Sequence, residues 1–170
     1  MAHPSDLAPA LIALKAEAIL INPNGKRKVP LQDFFVGPNH YGETILNPDE
    51  YLAEIYIPTQ TVKTGQVFIK ERIRHSADFA LSSVAAVARI SSGVCEDVRI
   101  VLGGVAPVPY IALETEEMMQ GKRLDESLIS RVVEASVEGA KPLPMNGYKV
   151  DLTKTLVKRA LASILNDTAR

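Results

Sequence analysis

Two long apolar runs occupy the middle of the chain, at residues 81–90 and 98–105. The turn-rich segment ISSGVCED separates them, and a segment rich in glycine and proline follows the second run. Apolar, β-branched runs bounded by turn residues predict two strands that pair as a hairpin. In the segment before them, Lys70, Arg72 and Arg74 alternate with other residues and would share one face of a strand. The pattern therefore predicts a sheet on which the rest of the chain packs.

The first third of the chain predicts a helix, a hairpin and a strand. Ser5 or Asp6 can cap the helix, which has four apolar residues near helical spacing, Leu7, Leu11, Ile12 and Leu14. The segments AEAILI and KRKVPL then flank a turn sequence, which predicts a hairpin with Asn24-Gly25 at its tip. A strand is predicted at residues 51–57, where Pro58 ends it.

The last third predicts three helices, at residues 113–120, 125–139 and about 148–165. The first of them has three glutamates in its first turns, Glu114, Glu116 and Glu117. They could be catalytic acids or metal ligands, but complementing the positive end of the helix dipole is the favoured interpretation, because no histidine lies near them in sequence. Strands followed by helices indicate an α+β domain.

Composition narrows the function classes. The 170 residues are 46% hydrophobic and 23% charged with a net charge of -1, as expected for an ordinary globular protein. The balance gives no general attraction to nucleic acid or to an anionic membrane. Cys95 is the single cysteine, which excludes a disulfide framework or a multi-cysteine metal site within this sequence. With no signal peptide or membrane-spanning run in the sequence, we expect a cytoplasmic protein.

The residues alone indicate no catalytic centre. Three histidines, at positions 3, 40 and 75, are too scattered to suggest a shared metal ion. The sequence has no GxSxG elbow and no GxGxxG loop, and Cys95 in a polar turn is better explained as an incidental small residue than as a nucleophile. We therefore predict no catalytic and no metal-binding residues. From the residues alone, the sequence indicates only an α+β domain with one basic strand face.

Several short motifs in register carry the interpretation further. They are SDLAPALIALKA, VPLQDFFVGP, PDEYLAEIYIP, Lys70-x-x-x-Arg74-x-x-x-Asp78-x-Ala80, LGGVAPVP, GKRLDE and the Tyr148-Lys149 pair before KRAL. Together they resemble the FAD-binding (medium) subunit of the molybdenum hydroxylases, the group of xanthine dehydrogenase, aerobic carbon monoxide dehydrogenase and 4-hydroxybenzoyl-CoA reductase. The similarity extends over nearly the whole chain.

The resemblance implies a two-part fold. Residues 1–48 are expected to be the tail of an FAD-binding domain, a helix plus a β-hairpin. Residues 49–170 are expected to form the family's C-terminal α+β domain, a three-stranded antiparallel sheet flanked by helices, with strands at about 65–73, 80–90 and 97–105. The family's two glycine-rich FAD pyrophosphate loops precede the SDLAP segment. Since Ser5 follows Met1 closely, we expect both loops to be missing from this chain.

The resemblance also assigns candidate FAD-binding residues. Ser5 and Asp6 resemble a pair that contacts the ribityl region of the flavin, with a helix cap as the structural alternative. Tyr51 and Leu52 match a position that packs an apolar side chain beside the flavin. Lys70 matches a lysine whose charge would favour reduced, anionic flavin, although a lysine on an edge strand is commonly only solvated.

The same family sets the expected function. The chain is expected to be the C-terminal portion of an FAD-binding subunit, forming one wall of the FAD site and a docking surface for electron transfer between [2Fe-2S] clusters, FAD and an external carrier. FAD would be shared with an N-terminal half, while molybdopterin and [2Fe-2S] clusters would sit only on partner subunits. Alone, the chain is expected to be inactive, and it could form a homo-oligomer. The alternative is a truncated, non-catalytic scaffold that no longer binds FAD.

Overall fold

The computed structural model describes residues 2–40, 42–61, 64–75 and 77–168. These residues form four α-helices, one short 3-10 helix and seven strands. In chain order they are α1 (Leu7–Ala13), β1 (Glu17–Asn22), β2 (Gly25–Pro30), the 3-10 helix (Leu31–Asp33), β3 (Tyr51–Tyr56), β4 (Thr64–Glu71), β5 (Ser82–Ser91), β6 (Val94–Gly103), β7 (Tyr110–Ile111), α2 (Leu113–Met119), α3 (Glu126–Ala135) and α4 (Tyr148–Thr168).

A four-stranded antiparallel sheet in the order β4-β5-β6-β7 is the centre of the fold. The predicted hairpin is its middle: Ser91 pairs with Val94, and Ser92 and Gly93 between them have φ of 51° and 81°. Two successive residues with positive φ suit the right-handed twist of a two-residue hairpin. The predicted central sheet is therefore confirmed, with β7 as a short fourth strand that the sequence pattern did not show.

The two faces of this sheet have different partners. One face carries Val84, Ala86 and Ala88 into the main core, where they pack with α3 and α4. The neighbouring positions point the other way, so that Ala85 and Val101 pack beneath α1 together with Ile12 and Leu20. Residues that alternate between faces are what a strand buried on both sides requires.

A second, three-stranded antiparallel sheet has the order β2-β1-β3. Asn22 pairs with Gly25, so the hairpin turn is Pro23-Asn24, one position before the predicted tip. The Asn24 N–H donates to Asn22 Oδ1 at 2.9 Å, a side-chain bond that favours the earlier turn. The strand β3 pairs with β1. The predicted division of the chain into two domains between residues 48 and 49 stays a prediction.

The predicted α+β fold class and the predicted helices are confirmed, but the prediction of a basic strand face that includes Lys70, Arg72 and Arg74 is wrong. The strand β4 ends at Glu71, where its partner β5 begins at Ser82, so Arg72 and Arg74 lie in the connection beyond the ladder. No helix within the described residues is long and apolar enough to cross a lipid bilayer.

Candidate functional site

Two of the predicted flavin residues, Asp6 and Lys70, meet in an ion pair. The Lys70 ammonium donates to Asp6 Oδ2 although the two residues are 64 positions apart in the chain. Lys70 stands near the end of β4, and Asp6 immediately precedes α1. The lysine side chain is only 15% exposed. A cation that is largely removed from water is stabilised by a carboxylate partner of this kind.

The position of α1 above this pair depends on a glycine. Lys70, Ser83 and Gly103 lie opposite one another on β4, β5 and β6, and opposed residues in antiparallel strands share a face. A Cβ at Gly103 would lie 2.4 Å from Ser83 Oγ and 2.8 Å from Pro9 Cγ. Gly103 therefore leaves the space in which the first turn of α1 lies against the sheet and brings Asp6 to Lys70.

The site also contains buried polar atoms with unused hydrogen-bonding capacity. Asp6 Oδ1 and Ser83 Oγ are buried and have no hydrogen-bond partner among the described residues, and the same is true of His3 Nδ1. A buried polar atom of this kind destabilises a fold unless a ligand or water satisfies it. Asp6 can therefore accept one more hydrogen bond while its other carboxylate oxygen holds Lys70.

Ser5 caps α1, which is the structural role that the sequence offered as the alternative to a flavin contact. Its hydroxyl accepts a hydrogen bond from the Ala8 N–H at 3.1 Å, whereas the Asp6 side chain makes no capping bond. The division of labour follows from geometry, because a carboxylate that points at Lys70 cannot also turn back to the helix. Ser5 orients the turn that presents Asp6.

Tyr51 and Leu52 lie on β3 in the other sheet. Their side chains are exposed by 58% and 40%. Successive residues of a strand point to opposite faces, so the two side chains lie on opposite sides of the sheet. A ligand that lies against one face of β3 could pack on only one of them.

The connection between β4 and β5 carries an ion pair between Arg74 and Asp78, two residues of the motif that begins at Lys70. Arg74 Nε lies 2.9 Å from Asp78 Oδ2, and its second bond, to Oδ1, is 3.3 Å. The guanidinium lowers the pKa of the Asp78 carboxyl below its usual value. Ile73 and Phe79 flank this pair and are 78% and 73% exposed, so the connection presents two large apolar side chains beside the Lys70 site.

Two groups outside this site have structural roles. Glu116, one of the first-turn glutamates of α2, accepts a hydrogen bond from the Ile100 N–H at 2.9 Å and thereby ties α2 to β6. Burial raises the pKa of its carboxyl, with Arg99 acting in the opposite direction. Cys95 is fully buried in the main core, and burial raises the pKa of its thiol.

Ser83 and Gly103 were not among the site residues predicted from the sequence. Ser82 and Ser83 begin a strand whose next five residues are all apolar, and a pair of polar residues there is the available signal. Gly103 ends β6 directly after the apolar run Ile100-Val101-Leu102, and glycine in a strand commonly marks the close approach of another segment. Neither signal could have shown that the two residues are opposite Lys70, because the register of the strands is needed for that.

Comparisons with known proteins divide the chain in two. A family model described as CO dehydrogenase flavoprotein C-terminal domain matches residues 68–164. A second, described as FAD binding domain in molybdopterin dehydrogenase, matches residues 1–60. The Asp6–Lys70 contact joins the two matched segments.

Curated relatives show similarity over nearly all of the chain. It is 30% identical over 164 residues to the glyceraldehyde dehydrogenase medium chain of Sulfolobus acidocaldarius, which covers 94% of this chain and 57% of the relative. It is 32% identical to the carbon monoxide dehydrogenase medium chain of Hydrogenophaga pseudoflava, with 94% and 56% covered. The chain therefore spans little more than half the length of the curated relatives it matches.

A solved structure shows the same fold. The reconstituted CO dehydrogenase from Oligotropha carboxidovorans contains a chain that superposes with a TM-score of 0.83 at 26% identity. The match covers 94% of this chain and 56% of the other.

Proposed function

We propose that this chain, which belongs to the CO dehydrogenase flavoprotein C-terminal domain family, is part of the FAD-binding subunit of a molybdenum hydroxylase-type oxidoreductase. It would form one wall of the FAD site and a surface that docks on partner subunits. Molybdopterin and the [2Fe-2S] clusters would be held by those partners. A cytoplasmic location belongs to the same proposal.

The observation that carries this proposal is the ion pair between Asp6 and Lys70. The resemblance assigned each residue to the flavin separately, one from each of the segments that the two family descriptions match. In the structure the two side chains meet, and the carboxylate keeps a buried acceptor atom that has no hydrogen-bond partner within the described part of the chain. Convergence of a cation and an unused acceptor is typical of a binding site for a polar ligand.

The residues present fit FAD in their chemistry. The free oxygen of Asp6 can accept a hydrogen bond from a ribityl hydroxyl, since an ionised carboxylate only accepts. Lys70 would favour negative charge on the flavin ring, and Asp6 holds its ammonium in a fixed position. Tyr51 or Leu52 offers an exposed apolar side chain beside which a ring could lie. Ser5 would act on the ligand through the capped turn.

When bound, FAD would exchange electrons between iron–sulfur clusters and an external carrier. The contribution of this chain would be to orient the cofactor and to hold a positive charge near it. The exposed apolar side chains Ile73 and Phe79 beside the site give one surface on which a partner subunit or a further FAD-domain segment could dock.

The test is to purify the tagged chain from its own cells in its native assembly. We expect flavin absorbance in the eluate, together with molybdenum and iron–sulfur polypeptides. A Lys70→Met variant keeps the aliphatic stem and removes the charge, so it should lower the flavin content of the purified assembly. A Lys26→Met variant, which removes an exposed cation on β2, is the matched control and should leave it unchanged.

The outcomes separate the two functions. A colourless eluate that contains only this chain would support the non-catalytic scaffold instead. Full flavin content in Lys70→Met, with the assembly intact, would exclude Lys70 from the FAD site while leaving the subunit assignment in place.

A further inference from the structure

A cavity of about 270 Å³ lies on the opposite side of the central sheet from α1. Its walls come from β6, from the β6–β7 connection and from the segment that joins α3 to the start of α4. Leu102, Val105 and Val150 give it an apolar interior. Its volume is slightly below the range of roughly 300–1,000 Å³ that is usual for small-molecule pockets, so it suits a compact ligand.

Two lysines line this cavity, Lys141 and Lys149, and only Lys149 is half-buried. Lys149 is half-buried, and its ammonium donates a hydrogen bond to the Gly104 carbonyl at 2.9 Å. None of the ion pairs among the described residues includes it. An ammonium has three N–H donors, so donors remain for a ligand. A half-buried charge that has no counter-ion in the described ranges favours binding of an anion.

The rest of the lining does not cancel that charge. Glu138 and Lys141 both line the cavity, but both are exposed at its rim and carry opposite charges. The hydroxyl groups of Ser136 and Thr153 are already bonded, to the Val133 carbonyl and to Ser82. The Lys149 ammonium is therefore the group that would determine the charge of the ligand, and the apolar residues beneath it would contact the rest of the ligand.

We infer that this cavity binds a compact carboxylate with an apolar body, held by the Lys149 ammonium. The apolar body would lie against Leu102 and Val150 while the carboxylate meets the ammonium. The inference is independent of the proposed FAD site, because the cavity residues lie on the other face of the sheet and none of them is a proposed flavin contact. The Gly104 bond fixes Lys149 in place before a ligand arrives, which reduces the conformational entropy that binding would remove.

The probe is sodium benzoate, titrated into the full chain and followed by two-dimensional amide NMR. We expect shifts that concentrate in residues 137–153 and around residue 104. Benzamide has the same shape without the charge and should bind at least about tenfold more weakly, as expected when a charge-assisted hydrogen bond is replaced. Equal binding of benzoate and benzamide, or no shifts in these segments, would overturn the inference.

Two variants complete the test. Lys149→Met should weaken benzoate binding by about tenfold or more, while Lys158→Met, which alters an exposed lysine of the same helix, should leave it unchanged. Ala140→Phe places a ring in the cavity from an exposed loop position and should block binding even if Lys149→Met does not fold. Benzoate binding that survives Ala140→Phe would show that it binds elsewhere, and the inference would be wrong.

Discussion

Substituting Gly103 by alanine tests how closely α1 is packed onto the central sheet. The new Cβ would lie 2.4 Å from Ser83 Oγ and 2.8 Å from Pro9 Cγ, both closer than atoms in proteins normally approach. Overpacking of this kind destabilises by about 1–3 kcal/mol. The Pro9 ring is stiff and Ser83 is fully buried, so neither neighbour can move far, and we expect about 2–3 kcal/mol.

Ser83 gives the companion variant. Its hydroxyl is buried and has no hydrogen-bond partner among the described residues, so Ser83→Ala should be neutral or stabilise by up to about 1 kcal/mol. In the Ser83→Ala background the closer of the two clashes is gone. Gly103→Ala should then destabilise by about 1 kcal/mol less than it does in the parent chain.

The assay is urea unfolding followed by circular dichroism for the four chains of this double-mutant cycle. Gly37→Ala is the matched control, because a Cβ there meets nothing within 4 Å. It should change the free energy of unfolding by less than about 1 kcal/mol. A Gly103→Ala variant as stable as the parent, or effects that add within about 0.5 kcal/mol, would refute the packing argument.

Three further predictions concern other parts of the chain. The bonds of Glu50 to Arg27 and to the Asn47 N–H lower the pKa of the Glu50 carboxyl to about 2, so its contribution to the free energy of unfolding should be present above pH 4.5 and lost as the pH falls toward 2. In the Glu50→Gln variant the urea midpoint should therefore depend less on pH over that range, and an unchanged pH dependence would contradict the assignment. Asp125 Oδ1 accepts a hydrogen bond from the Leu128 N–H at 2.7 Å, so Asp125→Ala should destabilise the fold by about 1 kcal/mol and Asp125→Asn by less. Equal urea midpoints for the two variants would contradict the capping role. Cys95 is buried, and burial raises the pKa of its thiol, so the native chain should react with a disulfide reagent far more slowly than the urea-unfolded chain. Equal reaction rates for the two states would show that the core around Cys95 opens readily.

Local pattern predicted what depends on neighbours in sequence. The β5–β6 hairpin could be found because its turn and its apolar runs are contiguous, and α4 because its buried residues recur at helical spacing. The family resemblance added the pair of Asp6 and Lys70 as candidates, although each pattern alone gave only a cap and a solvated lysine.

Tertiary packing decided what the pattern could not. The sequence pattern predicts Leu7 on the apolar face of α1, yet Leu7 is 71% exposed while Ala8 and Pro9 are buried. The helix lies close to the sheet at Gly103, and the residue of α1 that faces inward there is Pro9. In the same way, β3 carries no local signal of its pairing with β1, because long-range strand pairing is set by the whole fold.

The close contact at Gly103 has a consequence for the order of folding. The surface on which α1 rests is made of residues from β5 and β6, so it does not exist until those strands have paired. Although α1 precedes β5 and β6 in the chain, it should therefore be among the last segments to become protected. Pulsed hydrogen exchange during refolding would show this as late protection of α1 amides relative to those of β5, and simultaneous protection would show that α1 docks on a surface formed earlier.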